Sequence, residues 1–484
     1  MASFAPDAAG VADTLAEPDV ETCLRVLEHA RAADPGDPRW APVREAAARL
    51  YHAGKKAKKA ARYAERRRHD LEAMAASERF AQQDPSPEPA SPEQAPASLR
   101  PLVGTRRCYV CKTPYGQAHS VYHLLCPDCA RESLSRRDAR CDLGGRTALV
   151  TGGRIKIGFH VALKMLRDGA EVLVTTRFPR DAARCFAAVR DSALWLDRLH
   201  VHGVDLLDVA GVAGLLDTVH ERFAHLDILV NNAAQTIRRP PAYHQEVRAA
   251  EEEPLSGPAA RIAVTGSASR PAPTFPGTIA LPDTLTAAYE PAGPPFPADR
   301  TDEHAGPLFP AGRTDETGQP LDLRERNSWS LRLHEVDPAE WLEVQFVNAF
   351  GPFLLTSRLR GLMEASPYPD RYVVQVSAME GSFSRVNKTV RHPHTNMAKA
   401  SLNMLTRTAA ADYAASGIHM NSVDTGWVTD ERPHPEKTAQ RRSGFRPPLD
   451  VIDGAARVYD PIVRGVGGQR MSGLFLKDYR PVEW

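Results

Sequence analysis

The chain has 484 residues, 42% hydrophobic and 25% charged, with a formal net charge of only +1 at pH 7. That length implies more than one folding unit, because a single hydrophobic core rarely grows past about 250–300 residues. The charge balance points to no particular partner, and the composition is that of an ordinary soluble globular protein rather than a fibrous or disordered one.

At the N-terminus, Met1–Asp19 lacks the basic start and apolar centre of a secretory signal. No uninterrupted apolar run approaches the ~18 residues needed to span a bilayer, so no membrane segment is expected. Residues 20–80 read as helical, with Leu24, Leu27 and Ala30–Ala33 in one segment and Trp40–Leu50 in a second. The second runs into Gly54–Arg68, which carries eight Lys/Arg and one Glu between Lys55 and Arg68. These charges go round the whole helix, so it is either a solvated helix or an arm for nucleic acid or an acidic protein partner. Gln82–Pro101 is a linker by composition, its prolines favouring an extended chain.

Residues 104–135 hold Cys108-Tyr-Val-Cys111 and, after fourteen residues, Cys126-Pro-Asp-Cys129. Each Cys-x-x-Cys forms a knuckle offering two thiolates, and two knuckles supply the four soft ligands of a structural zinc with no open position. Tyr115, Tyr122 and Leu124–Leu125 are the expected miniature core, and His119 and His123 are read as polar surface. Seven cysteines with four in this pattern suit a reducing compartment, so the cytoplasm is the expected location.

From Leu143 the chain alternates strand and helix. Arg146–Thr151 is a buried-type strand, followed by the turn Gly152-Gly-Arg-Ile-Lys-Ile-Gly158 and the apolar helix Val161–Leu166. Strand, glycine turn and helix N-terminus together make a phosphate site, because backbone N–H groups and the helix dipole face the anion. Glu171–Arg177, an element ending at Val204-Asp205, a helix over Val209–Phe223 and the strand at Leu226–Ala234 follow. This alternation predicts an α/β fold with a parallel sheet covered on both faces. Residues 237–326 interrupt it with a Pro/Gly-rich insertion containing a tandem near-repeat, Phe296–Leu308 and Phe309–Leu321. The expected insertion is a flexible loop enlarged by duplication, or else a lid at the mouth of the site.

Thr151-Gly152-x-x-x-x-x-Gly158, Asp205, Asn231-Asn-Ala-Ala234, Asn348 in Val347–Phe353, the strand Arg371–Ser377, Lys399 in a helix and Asn421–Thr429 occur in the order of a known set of motifs. The chain from 143 to 484 thereby resembles the short-chain dehydrogenase/reductase family. The resemblance implies a doubly wound Rossmann fold, a nicotinamide cofactor and a small carbonyl or alcohol substrate. It further implies cofactor contacts from Gly152, Arg154, Ile157 and Gly158 at the turn, Asp205, Asn232 and Ala233 along the adenosine, and Lys399, Thr425 and Gly426 near the nicotinamide. The strand ends in Thr175-Thr176-Arg177 without the acid that holds an NAD ribose, so Arg177 favours the 2′-phosphate of NADP(H) over NAD(H). The family's oligomers imply homo-oligomer contacts through Val336–Leu362 and Thr395–Ser416.

Three positions depart from the family pattern. Lys156 replaces the middle glycine of the turn, so the turn is expected to differ. Thr395 stands where the family has its proton-transferring tyrosine, four residues before Lys399, and Ser377 lies one residue before the family serine position, now Ala378. Catalysis would then draw on Asn348, Ser377, Thr395 and Lys399 with a relocated proton donor, His394 first, with His392 nearby and Glu380 as another candidate. The alternative is an inactive NADP(H)-binding sensor or scaffold that contacts a partner through the zinc module and the basic helix.

Overall fold

The computed structural model describes residues 17–81, 99–267, 307–315 and 317–484. Most of the expected linker, the first near-repeat and most of the segment read for a signal lie outside these residues. Two compact units result, Met1–Glu72 with Leu102–Gly104, and Ala73–Pro101 with Thr105–Trp484.

In the first unit, helices Glu17–Ala32 and Ala41–Ala75 are joined by a turn that Arg44 ties together. Its guanidinium donates to the carbonyls of Ala30, Ala33, Asp34 and Pro35, satisfying acceptors that the first helix leaves open at its end. The basic residues from Lys55 to Arg68 are all exposed, as expected of charges that go round the whole helix.

A two-stranded antiparallel hairpin, β1 (Leu99–Arg107) and β2 (Pro114–His119), is followed in the second unit by the helix Pro127–Arg137. Tyr115, Tyr122 and Leu125 are buried here. The main body is a nine-stranded sheet. Its first three strands are β3 (Thr147–Thr151), β4 (Glu171–Thr176) and β5 (Leu199–Gly203). Next in the chain come β6 (Ile228–Asn231), β7 (Ala263–Gly266) and β8 (Arg371–Ser377). The last are β9 (Ile418–Asp424), β10 (Phe475–Lys477) and β11 (Arg480–Val482). The spatial order is β11-β10-β9-β8-β6-β3-β4-β5-β7, parallel throughout except for β11.

Successive strand residues face opposite layers. Ala148 and Val150 of β3 point to the layer of helices Lys156–Arg167, Pro179–Ala187 and Val451–Val466, whereas Leu149 points to Val209–Arg222, Gly351–Arg358 and Pro393–Ala415. Both faces are covered, so the strands are apolar along their whole length. The chain leaves β3 in one direction through β4 and β5, and in the other through β6, β8 and β9. A crevice therefore opens at the carboxyl ends of β3 and β6, where the strand order reverses.

The described residues of the insertion are more ordered than its composition predicts. Its described part forms the helix Gln245–Glu252 and β7, which pairs in parallel with the otherwise open edge of β5. Glu251 anchors it, accepting from the backbone N–H groups of Arg180 and Asp181 at the start of the Pro179–Ala187 helix. An uncapped helix end and an unpaired sheet edge on the host supply hydrogen bonds that the insertion lacks by itself.

Candidate active site

A cavity of about 1560 Å³ lies over the carboxyl ends of the strands. At its floor the glycine turn links β3 to the Lys156–Arg167 helix. A Cβ on Gly158 would stand 2.3 Å from the carbonyl oxygen of Gly152 and 2.4 Å from Asn232 Nδ2, so only glycine allows this approach. Lys156 holds φ at +54°, the left-handed conformation in which the family pattern has glycine. The turn therefore keeps a glycine-like backbone at a cost on the order of 1 kcal/mol, and the lysine ammonium faces Glu431 at 3.9 Å. The departure at this position lies in strain and charge and does not remove the turn.

Asn232 Nδ2 donates to the carbonyls of Thr151 and Gly152, while Thr151 Oγ1 accepts from the N–H groups of Asn232 and Ala233. These bonds lock β6 to the turn. Gly152, Ile157, Asp205, Asn232 and Ala233 line the cavity round the turn, and Thr425 and Gly426 line it beyond β9. Asp205 also accepts from the Leu207 N–H at 3.1 Å.

Three guanidiniums gather at the end of β4 round the buried Phe178 ring. Arg154 lies 5.4 Å from its centroid, Arg177 5.7 Å and Arg248, from the insertion, 6.0 Å. Arg154 is neutralised by Asp181 at 2.6 Å, whereas Arg177 is exposed in the cavity. Burial, and then Arg177, Arg154 and Arg248 in that order, push the neighbouring His244 down to about 3, an imprint of how cationic this corner is. Arg248 and His244 carry no recognisable motif. They arrive through the tertiary placement of the insertion.

The catalytic candidates separate. Asn348 sits on a wide turn between helices Pro338–Gln345 and Gly351–Arg358, at the middle of the predicted Val336–Leu362 helix. Its side chain accepts from the Gln235 N–H at 2.6 Å and donates to the Gln235 carbonyl at 3.0 Å, so it positions the chain after β6. Ser377 lies at the cavity wall but is buried, its hydroxyl donating to Asn403 Oδ1 at 2.6 Å and close to the Lys399 carbonyl at 3.3 Å. Ala378, at the family serine position, lines the cavity beside it and offers no hydroxyl.

His394 corrects the expectation of a relocated histidine donor. It is fully buried and absent from the cavity wall, with its Nε2 3.5 Å from the equally buried Glu340. Burial would raise the Glu340 carboxyl, but the neighbouring His394 imidazole and Ser328 hydroxyl outweigh it and hold the group below its ordinary range. His392 does line the cavity, stacked on Trp329 at 3.9 Å and bonded to Asn396. Thr395 is buried at the cavity wall, and among the described residues its hydroxyl has no hydrogen-bond partner. One turn along the helix, Lys399 Nζ donates to the Val376 carbonyl at 2.7 Å. Burial pulls Lys399 down to about 8, with the Glu380 carboxylate acting in the opposite direction. Glu380 itself is held by Arg385.

In the hairpin module, the sulfur atoms of Cys108, Cys111, Cys126 and Cys129 lie within 4.8 Å of one another. Lys112, at φ +63°, turns the first knuckle, and Cys126 starts the Pro127–Arg137 helix, which brings Cys129 round in its first turn. Neither loop histidine joins the sulfur cluster, but both are buried, which corrects the reading of polar surface, and His119 accepts from the Val121 N–H.

The short chain dehydrogenase family model matches residues 146–252, and a second model, described as enoyl-(acyl carrier protein) reductase, matches residues 326–442. An uncharacterized protein of Acanthamoeba polyphaga mimivirus is 33% identical over 371 residues, covering 74% of this chain and 71% of that one. The chain belongs to the short-chain dehydrogenase/reductase family. Within that family, carbonyl reductase [NADPH] 1 of Sus scrofa is 37% identical over 89 residues, but the match covers only 18% of this chain and 30% of that one. (+)-Neomenthol dehydrogenase of Capsicum annuum is similar over 90 residues at 30% identity, 18% of this chain and 28% of that one. Among solved structures, the NADPH-bound carbonyl reductase from chicken fatty liver aligns at a TM-score of 0.42 and 16% identity, over 71% of this chain and 100% of that one. Among the described residues, no helix of this short-chain dehydrogenase/reductase is long and apolar enough to cross a membrane.

Proposed function

We propose that the protein is an NADP(H)-dependent oxidoreductase that moves a hydride between nicotinamide and the carbonyl or alcohol carbon of a small molecule. The observation that carries the cofactor choice is Arg177, exposed in the cavity at the end of β4, where no carboxylate stands to hold a ribose hydroxyl. The cofactor supplies the hydride when bound. Gly152 and Gly158 admit its pyrophosphate to the turn, Asn232 and Ala233 shape the adenosine groove, and Asn348 fixes the loop that follows. Lys399 is the cavity group that holds a proton near neutral pH, and the unpartnered Thr395 hydroxyl one turn away leads it toward the substrate oxygen.

The four sulfurs fit a structural zinc. A Zn–S bond of about 2.3 Å gives a tetrahedral edge of about 3.8 Å, and Cys111 Sγ and Cys126 Sγ are 3.7 Å apart. Four thiolates leave no open position, so the ion would hold the two knuckles together and take no part in hydride transfer. A second reading, a dinucleotide-binding scaffold without turnover, is favoured by the missing tyrosine and by a Ser377 hydroxyl already engaged by Asn403.

Titrating the purified protein with NADPH and separately with NADH, followed by a screen of aldehydes and ketones for NADPH oxidation, tests these readings. NADPH binding with carbonyl-dependent oxidation is the expected result. Binding without any turnover favours the scaffold, and binding of neither nucleotide overturns both. The pH dependence gives a further check, since Lys399 attracts the cofactor only when protonated. NADPH affinity is expected to fall as pH rises through about 8, and Lys399→Met is expected to abolish that limb of the binding profile. An unchanged limb in the variant would assign the titration to another group.

A further inference from the structure

Tyr109 lies inside the first knuckle, between Cys108 and Cys111, yet it and Lys112 line the cavity over the sheet. Its hydroxyl accepts from the Trp427 N–H at 2.9 Å. A Cβ on Gly426 would come within 3.6 Å of the same oxygen, so the phenol lies against the chain that leaves β9. Lys112 Nζ is 5.1 Å from the centre of the ring and Lys477 Nζ 5.9 Å, the latter paired with Asp424 at 3.2 Å. Trp427 in turn packs on Phe445 at 4.8 Å, with Arg432 over both rings.

The position of this contact in the sheet gives it meaning. A dinucleotide lies across the strand reversal, with its phosphate-bearing adenosine half over β3, β4 and β5 and its other half over the strands on the opposite side. Thr425–Trp427 follows β9, far from the Arg177 corner and on the nicotinamide side. Tyr109 is not what docks the module. Docking is carried by Tyr122 on Asp453 at 2.6 Å and by Arg137 on Asp450 and Asp453 at 2.7 and 2.9 Å.

We propose that the four-cysteine module forms part of the cavity wall at the nicotinamide end, with Tyr109 the positioning residue that fixes Thr425–Trp427. This rests on the dinucleotide reading above. The module then does more than stabilise the chain, because closing the knuckle round a metal sets where the Tyr109 hydroxyl stands, and that hydroxyl sets the Thr425–Trp427 backbone. Loss of the metal, by chelation or thiol oxidation, would loosen one end of the cavity and leave the other intact.

The test compares two ligands on the full-length, metal-loaded protein. NADPH spans the cavity, whereas adenosine 2′,5′-bisphosphate occupies only the half near Arg177. Tyr109→Ala is expected to weaken NADPH about tenfold, the scale of leaving a buried donor without its partner. Tyr109→Phe, which keeps the ring and removes the acceptor, is expected to weaken NADPH by a smaller factor. Adenosine 2′,5′-bisphosphate affinity and metal content should stay at the wild-type values in both. Chelation of the wild-type protein should reproduce the selective loss of NADPH affinity. Unchanged NADPH affinity in both variants, or an equal loss for both ligands, overturns the proposal. A wild-type protein that binds adenosine 2′,5′-bisphosphate but not NADPH also overturns it, and one that binds neither removes the dinucleotide reading itself.

Discussion

Replacing Arg177 with alanine is expected to weaken NADPH binding by about 10- to 100-fold while leaving NADH binding within about twofold of wild type. The magnitude follows from the ~1.5–3 kcal/mol carried by a hydrogen bond to a charged group. The asymmetry follows from chemistry, because only NADP(H) carries a 2′-phosphate for a guanidinium to meet. Of the three guanidiniums round Phe178, Arg154 already faces Asp181 at 2.6 Å, which leaves Arg177 with the largest share of the discrimination. Arg177→Asp is expected to go further and invert the preference, since a carboxylate repels the phosphate and accepts from a ribose hydroxyl. Isothermal titration with both nucleotides reads these ratios directly. Equal losses for NADPH and NADH would place Arg177 in the fold of the turn and not in cofactor discrimination.

Asp453→Ala is expected to destabilise the second unit by about 3 kcal/mol, within the range for breaking a buried charge network. Asp453 is fully buried and accepts from the Tyr122 hydroxyl and from Arg137, while its other oxygen accepts from the Asp450 N–H to close the capping box of the Val451–Val466 helix. Removing it orphans the Tyr122 hydroxyl and the Asp450 N–H at once, at the junction between the cysteine module and the sheet. The midpoint of urea denaturation at constant slope measures the effect, and a loss below ~1 kcal/mol would show that Asp450 alone carries the junction. Asp450 also predicts the pH dependence. Burial alone would raise its carboxyl, but Arg137 and then Arg79 hold it well below the ordinary carboxylate range. A depressed carboxyl contributes stability that is fully present above the unfolded value of about 4 and is lost as pH falls through the folded one. The junction is therefore expected to be insensitive to pH from neutrality down to about pH 4, and to weaken only in stronger acid.

Much of the site was readable because its signals are local. The glycine turn works through backbone N–H groups whose placement depends on a few consecutive residues, and the spacing of Cys108, Cys111, Cys126 and Cys129 restricts four thiols to one small volume. The strands announce themselves through continuous apolar runs, since both faces of a parallel sheet are covered. Strand parity did not decide the place of Ser377, which lines the cavity beside Ala378 while its hydroxyl is taken by Asn403.

The remainder depended on partners distant in sequence. His394 and Thr395 are neighbours in one helix, about 100° apart round its axis, so one meets buried Glu340 while the other reaches the cavity. No pattern in the helix itself specifies which, because the choice is made by Pro338–Gln345 packing against it. The insertion looked irregular because its own residues cannot satisfy their backbone groups, and β7 forms only where β5 offers an open edge. Tyr109 was read as knuckle and stands in the cavity wall. By itself the sequence determined the fold class, the phosphate turn and the set of four thiols, all of which rest on short-range spacing and side-chain period. Tertiary structure alone decided which side chains face the cavity, because direction in space depends on helix phase and on burial against elements distant in the sequence.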